Sequence, residues 1–177
     1  MTTEENRSQS KARTALIAAF NQLVLAKPYA EFHISDVIKL ADVSRSTFYE
    51  HFRSKDDILR LCLTHVLGPL AKAGFSGSDL EQLEMVLEHF QEFEEQTSVY
   101  LNGPAATVVT QRLAELIEPL LDAERDPSTA FPNRLLASQI AASTIGLVAS
   151  WMNHSPRETA DCIARQLQQT ARALVNC

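Results

Sequence analysis

Between Arg7 and Lys27 the apolar residues Leu16, Ile17, Phe20, Leu23 and Val24 recur at the spacing that lines one face of an α-helix, and Pro28 stops the pattern. Ile34 to Ala41 predicts a short second helix, with Ser35 as its N-cap and Asp36 beside the positive end of the dipole. After Asp42 and Val43, Ser44 offers another N-cap, and SRSTFYEHF predicts a third helix of about two turns. Ser54 with Asp57 three residues later fits a capping box and opens a fourth helix, whose apolar face is Leu59, Cys62, Val66 and Leu70. Gly68-Pro69 should kink or end it. The segment AGFSGSD (73–79) is rich in small and turn-forming residues and is the best linker candidate. Beyond it the pattern predicts helices at 79–101, at 104–124 with a kink at Pro119, at 133–153 and at 156–175. No segment alternates as a strand does, so the expected fold is all-α. Its parts are an N-terminal domain over 1–54, a connecting helix over 55–67 and a second helical domain over 68–177.

Composition agrees with a packed fold, at 177 residues, 45% hydrophobic and 21% charged. No stretch approaches the roughly 18 uninterrupted apolar residues of a membrane span. The start, MTTEENRSQSK, is polar, so a cytoplasmic protein with no membrane partner is expected. Cys62, Cys162 and Cys177 are far apart, which argues against a disulfide framework or a zinc site. Cys62 and Cys162 read as small buried hydrophobes and Cys177 as an exposed terminal thiol.

Charge changes the picture. The formal net charge of -6 argues against a polyanionic partner, but its distribution is uneven. Residues 7–60 carry nine Lys and Arg against six acids, whereas residues 61–177 carry seven against fourteen. Only the first part is suited to face nucleic acid.

Two short helices joined by a tight turn and packed on a longer first helix are the recipe for a helix-turn-helix. The second of the pair must present small, polar or basic groups at its N-terminal end, where base edges and phosphates lie, and Ser44, Arg45, Ser46 and Thr47 do so. Phe48 and Phe52, four residues apart, would hold the helix on its domain. Tyr49 and His51 fall on other faces within reach of phosphate oxygens, and Lys55 adds a cation at the start of the fourth helix. The caps and the two phenylalanines would equally serve a plain three-helix bundle. Arg45, Tyr49, His51 and Lys55 gathered on one surface would not.

The run ISDVIKLADVSRSTFYEHFRSKDDIL (34–59) resembles the N-terminal DNA-binding domain of TetR-type regulators, and the likeness extends over about residues 10–60. That resemblance implies that Ser44, Arg45 and Ser46 approach bases, and that Ser35, Thr47, Tyr49, His51 and Lys55 contact the DNA backbone. It implies a homodimer binding a near-palindromic double-stranded operator, and a repressor released by a small effector. A DNA-binding protein of the same fold controlled by a protein partner, with no small-molecule effector, is the alternative. Asp42 departs from the family, which usually has glycine in that turn; Asp tolerates the left-handed conformation better than most residues. Glu50 is a second acid on the same helix, read as solvated or paired within the protein in preference to a cytosine contact.

In the second half, Asn133 to His154 is apolar almost all round and dotted with Ala137, Ala141, Ala142, Ser143, Gly146 and Ala149, which predicts burial on every side. The last helix carries Ala160, Ile163, Ala164, Leu167, Ala171 and Leu174 on one stripe. The family resemblance makes these two helices the dimer interface, through Ala142, Gly146, Ala149, Ile163, Leu167 and Leu174; packing within one subunit is the other reading. Phe90, Phe93, Tyr100, Trp151 and Met152 suit either a ligand pocket or the core. Glu81, Glu84, Glu88, Glu92 and Glu95 read as a solvated face, with a metal or cationic-ligand site at Glu88, His89 and Glu92 as the lesser reading. There is no nucleophile arrangement, phosphate-cradling glycine loop or metal-ligand spacing, so neither enzymatic activity nor a cofactor or metal is expected.

Overall fold

The computed structural model describes residues 3–126, 131–155 and 157–176, with side chains from Ser10 onward. Cys177 and the side chain of Arg7 lie outside the described residues. Among those residues the chain forms nine helices and no strand: α1 (Thr3–Ala26), α2 (Ile34–Ala41), α3 (Arg45–His51), α4 (Lys55–Lys72), α5 (Leu80–Glu92), α6 (Glu94–Asn102), α7 (Ala106–Glu124), α8 (Asn133–Met152) and α9 (Ala160–Val175). The all-α expectation holds. The chain divides into two compact units, Met1–Cys62 and Leu63–Cys177. That division falls inside α4, within the segment read as a connector, and not at 73–79.

In the first unit, α1, α2 and α3 pack on one another around Leu16, Phe20, Val37 and Phe48, each at most 1% exposed. Phe20, Tyr29 and Phe32 meet edge to face in all three pairings, with ring centroids 5.6 to 6.4 Å apart. Each such pair adds about 0.5–1.5 kcal/mol beyond the area it buries. Tyr29 and Phe32 belong to the connection between α1 and α2, so the aromatic cluster anchors that loop to α1.

The second unit is built on a core of Leu83, Leu87, Leu113, Ile117, Leu121, Ala141, Val148 and Ala164, with α8 against α6, α7 and α9, and α5 against α9. Four expectations need correction here. The 73–79 segment is no open linker: Ala73 and Phe75 are buried. A Cβ on Gly74 would stand 2.6 Å from Ala171 Cβ and 2.7 Å from its carbonyl carbon, so glycine is what lets this turn touch α9. The helix predicted over 79–101 is broken at Phe93, whose φ of -111° and ψ of 46° end α5 and begin α6. Of the kink or end expected at Gly68-Pro69, the end is excluded, because α4 runs on through Pro69 to Lys72. Finally, α8 is long and apolar enough to cross a membrane by length and composition, yet it is a half-buried core helix that leaves Leu135, Ala142, Ser143 and Gly146 exposed.

Substituting Gly74→Ala should force α9 away from the turn and cost about 1–3 kcal/mol, the usual price of overpacking. Thermal unfolding followed by circular dichroism reads this as a drop of several degrees; a midpoint equal to that of the parent would show that the contact yields freely.

Candidate nucleic-acid interface

The turn between α2 and α3 is closed by a left-handed residue. Asp42 has φ 51° and ψ 48°, and is the one described non-glycine residue at positive φ. Val43 N–H donates to Ile38 O at 3.3 Å and Asp42 N–H to Lys39 O at 3.4 Å, the paired bonds of a Schellman motif that satisfy the last carbonyls of α2. Asp42 therefore occupies the conformation expected of it in place of glycine. At the other end of α2, Ser35 is not the N-cap. His33 is, and the Asp36 carboxylate accepts from His33 N–H at 2.7 Å. The spacing of His33 and Asp36 matches a capping box, but histidine in place of serine or threonine hides the signal.

Ser44 caps α3 as predicted, its Oγ accepting from Thr47 N–H at 3.0 Å. The same oxygen lies 2.7 Å from Ser46 Oγ and 2.8 Å from Thr47 Oγ1, so three hydroxyls form one cluster at the N-terminal end of the helix. Phe48 is fully buried and Phe52 nearly so, which turns Arg45, Ser46, Tyr49 and Glu50 to solvent. Tyr49 is 50% exposed, its ring edge to face with Phe48 at 5.3 Å. Arg13 of α1 brings its guanidinium to 5.8 Å from the Phe52 ring centre, a contact from 39 positions away that no local pattern announces.

Two of the backbone-contact assignments meet a different environment. His51 is half-buried, and its Nε2 is enclosed without a hydrogen-bond partner, so that atom is not presented to a phosphate. Lys55 turns inward. Its Nζ donates to Tyr29 O at 2.5 Å and Phe32 O at 2.9 Å, and lies 4.1 Å and 4.9 Å from the centres of those two rings. Two of its three N–H bonds are thus committed to the protein's own backbone. Burial lowers the Lys55 pKa from the usual lysine value, and the neighbouring Asp56 carboxylate pulls it partly back. Asp56 also accepts from the Tyr29 hydroxyl. The predicted capping box of α4 is present: Asp57 Oδ2 accepts from Arg53 and Ser54 N–H at 2.8 and 3.1 Å, and Ser54 Oγ accepts from Asp57 N–H at 3.2 Å. Cys62 is half-buried, its thiol donating to Asn21 Oδ1 at 3.4 Å, and burial raises its pKa.

The second unit redistributes the other candidates. Phe90, Trp151 and Met152 are buried in the core, with Trp151 Nε1 donating to Glu158 O at 2.8 Å. Phe93 is exposed, its ring tilted against that of His89 with centroids 4.7 Å apart, and Tyr100 packs against the core. Two clefts, of about 530 and 310 Å³, open instead beside α7 and the start of α8 and share Glu118 and Arg134. Among the described residues no group of three or more His, Cys, Asp or Glu is placed to hold a metal. Of the interface candidates, Ile163 and Leu167 are buried within the chain itself and Leu174 packs on the same core, because α9 directs its apolar stripe inward. Ala142 and Gly146 are exposed and Ala149 is half-buried. Cys162, expected to be buried, is exposed.

A family model described as "Bacterial regulatory proteins, tetR family" matches residues 16–62, ending where the first compact unit ends. The HTH-type transcriptional regulator EthR of Mycobacterium tuberculosis (strain ATCC 25618 / H37Rv) is 28% identical over 148 residues, covering 73% of this chain and 68% of EthR. The fold is similar to that of a TetR transcriptional regulator from Streptococcus agalactiae 2603V, with a TM-score of 0.59 and 24% identity over 94% of this chain and 97% of that one. It is also similar to Thermus thermophilus FadR, a TetR family repressor solved in complex with lauroyl-CoA, with a TM-score of 0.50 and 16% identity over 90% and 92% of the two chains.

Two substitutions test the local physics. Lys55→Met keeps the aliphatic length but strips the Tyr29 and Phe32 carbonyls of their donor, and should cost about 1–3 kcal/mol in chemical denaturation; an unchanged midpoint would mean the ammonium holds nothing. Asp42→Gly should be more stable than Asp42→Ala by about 1 kcal/mol, since only the alanine meets the steric cost of positive φ. Equal midpoints would remove the argument from backbone strain.

Proposed function

We propose that the chain is a TetR-family transcription regulator with a helix-turn-helix DNA-binding domain, a homodimeric repressor which leaves a near-palindromic operator when a small ligand binds. The observation that carries the DNA half is the exposed face of α3: Arg45, Ser46 and Tyr49 are exposed to solvent while Phe48 and Phe52 hold the helix to its domain. Arg45 and Ser46 read base edges, Arg45 having the fork that suits guanine. Ser44 and Thr47 first serve the cap and offer their remaining hydroxyl capacity to phosphates, alongside the exposed Ser35 and the Tyr49 hydroxyl. Lys55 acts on the loop before α2 and not as a phosphate ligand.

The dimer is supported by α8, which leaves Leu135, Ala142 and Gly146 exposed on an otherwise apolar helix. A Cβ on Gly146 would meet nothing within 4 Å, so the small side chain serves no contact inside the chain and leaves room for a second copy. Ligand release is supported by FadR, which holds lauroyl-CoA within the same fold, and by the cleft of about 530 Å³, of a size that suits a small molecule. A cytoplasmic location follows from the operator as partner.

Three outcomes are expected. Selection from a random duplex pool should recover an inverted repeat, and Arg45→Ala should lose about 1–3 kcal/mol of preference at one base pair per half-site; an equal loss on every sequence would assign Arg45 to phosphate. Lys55→Met should leave the salt dependence of operator binding unchanged, whereas a slope reduced by about one would return the ammonium to the DNA. Gly146→Arg should yield a folded monomer by sedimentation with greatly weakened operator binding; a stable dimer would sink the α8 interface. A melting temperature indifferent to a metabolite panel but raised by another polypeptide would favour control by a protein partner.

A further inference from the structure

The recognition helix exposes four residues, Arg45, Ser46, Tyr49 and Glu50. Its rotation is fixed by Phe48, which is fully buried. Ser46 and Glu50 stand two positions either side of Phe48, each about 160° round the helix from it. They are the pair that points most directly away from the domain, and in a helix lying in the major groove they come nearest the base edges. The Ser46 hydroxyl is held at 2.7 Å by Ser44 Oγ. The Glu50 carboxylate, among the described residues, has no hydrogen-bond or ion-pair partner, so the pairing within the protein that its sequence position allowed is not made.

An unpaired carboxylate at the centre of a surface that meets phosphates weakens binding to every sequence. A hydrogen-bond donor on the DNA offsets that cost, and the donors that the major groove displays are the amino groups of cytosine N4 and adenine N6. Adenine sets its N7 acceptor beside N6, which repels a carboxylate, whereas cytosine presents its amino group without an adjacent acceptor on the same base. We infer that Glu50 is a specificity-determining residue whose carboxylate accepts a hydrogen bond from the N4 amino group of one cytosine in each half-site, an inference that rests on the operator-binding reading above. Arg45 then supplies attraction and a guanine contact, and Glu50 subtracts affinity wherever the cytosine is missing. Specificity at this position comes as much from rejection as from attraction.

The test is selection of duplexes from a random pool by the full chain and by its Glu50→Ala and Glu50→Gln variants, followed by affinity measurements on the selected sequence and on duplexes with each base pair at the affected position. The unaltered protein should enrich cytosine at one position of each half-site. Glu50→Ala should keep the rest of the inverted repeat, lose that preference by about tenfold, and bind non-cognate duplexes more tightly. Glu50→Gln, able to donate to N7 and accept from N6, should move the preference to adenine. The inference is overturned if Glu50→Ala retains the full base profile and tightens all duplexes by the same factor, because the carboxylate is then repulsive only. If the unaltered protein enriches no motif at all, it is the operator-binding reading that fails.

Discussion

The ammonium of Lys55, held between the carbonyls of Tyr29 and Phe32 and close to their rings, ties the first turn of α4 to the loop that leads into α2. Withdrawing a lysine from water costs free energy, which is why its pKa is lowered, but carbonyl acceptors and ring faces replace part of the lost hydration. Asp56 on the same turn accepts from the Tyr29 hydroxyl, so two adjacent residues of α4 grip one aromatic side chain. The same Tyr29 packs on Phe20 of α1 and on Phe32. α1, the loop before α2 and the first turn of α4 are thereby fixed at one point, and the two-helix unit that carries α3 is held on a frame whose displacement would break charged hydrogen bonds.

Much of this frame was legible where the determining interactions are local. The Ser44 cap, the Ser54 and Asp57 box and the Phe48/Phe52 anchor each lie within four residues, and each is present. Asp42 was readable for a different reason: a turn that usually takes glycine demands positive φ, and Asp is among the residues that accept it. Lys55 was not readable, because the groups that capture it lie 23 and 26 positions back, and a lysine at a helix start resembles a phosphate ligand until those carbonyls are in view. The surroundings of His51 were hidden for the same reason, since the enclosure of its Nε2 is set by packing and not by its place on the helix.

In the second unit periodicity located the helices well and their environments poorly. α9 has a clear apolar stripe, yet a stripe states only that one side is covered, and here the covering elements are α5 and α8 of the same chain. α8 carries the opposite ambiguity. Apolar nearly all round, it suggested burial on every side, whereas its small residues at 142, 143 and 146 lie on the face that α6, α7 and α9 leave open. The segment 73–79 shows how composition misleads: glycine and serine mark a flexible linker in one context, and in another glycine is chosen because Ala171 leaves no room for a Cβ.

The charge distribution gives the remaining constraint. A basic surplus of three over residues 7–60 is small for a DNA-binding surface, and the structure reduces it further by committing Lys55 to the backbone. Arg45 is the one cation on the exposed face of α3, and Glu50 opposes it. With so few phosphate-directed cations, and with fourteen acids against seven bases beyond residue 60, the sequence-independent term that usually dominates DNA affinity is weak. Such a regulator gains little by adhering to arbitrary duplex. Under the proposed reading, affinity comes from base contacts, from neutral donors such as the α3 hydroxyls, and from the second reading head that a homodimer would supply. In the proposed homodimer, a modest change in the distance between the two heads would then suffice for release, because neither head would retain enough electrostatic attraction to hold on when the other lets go.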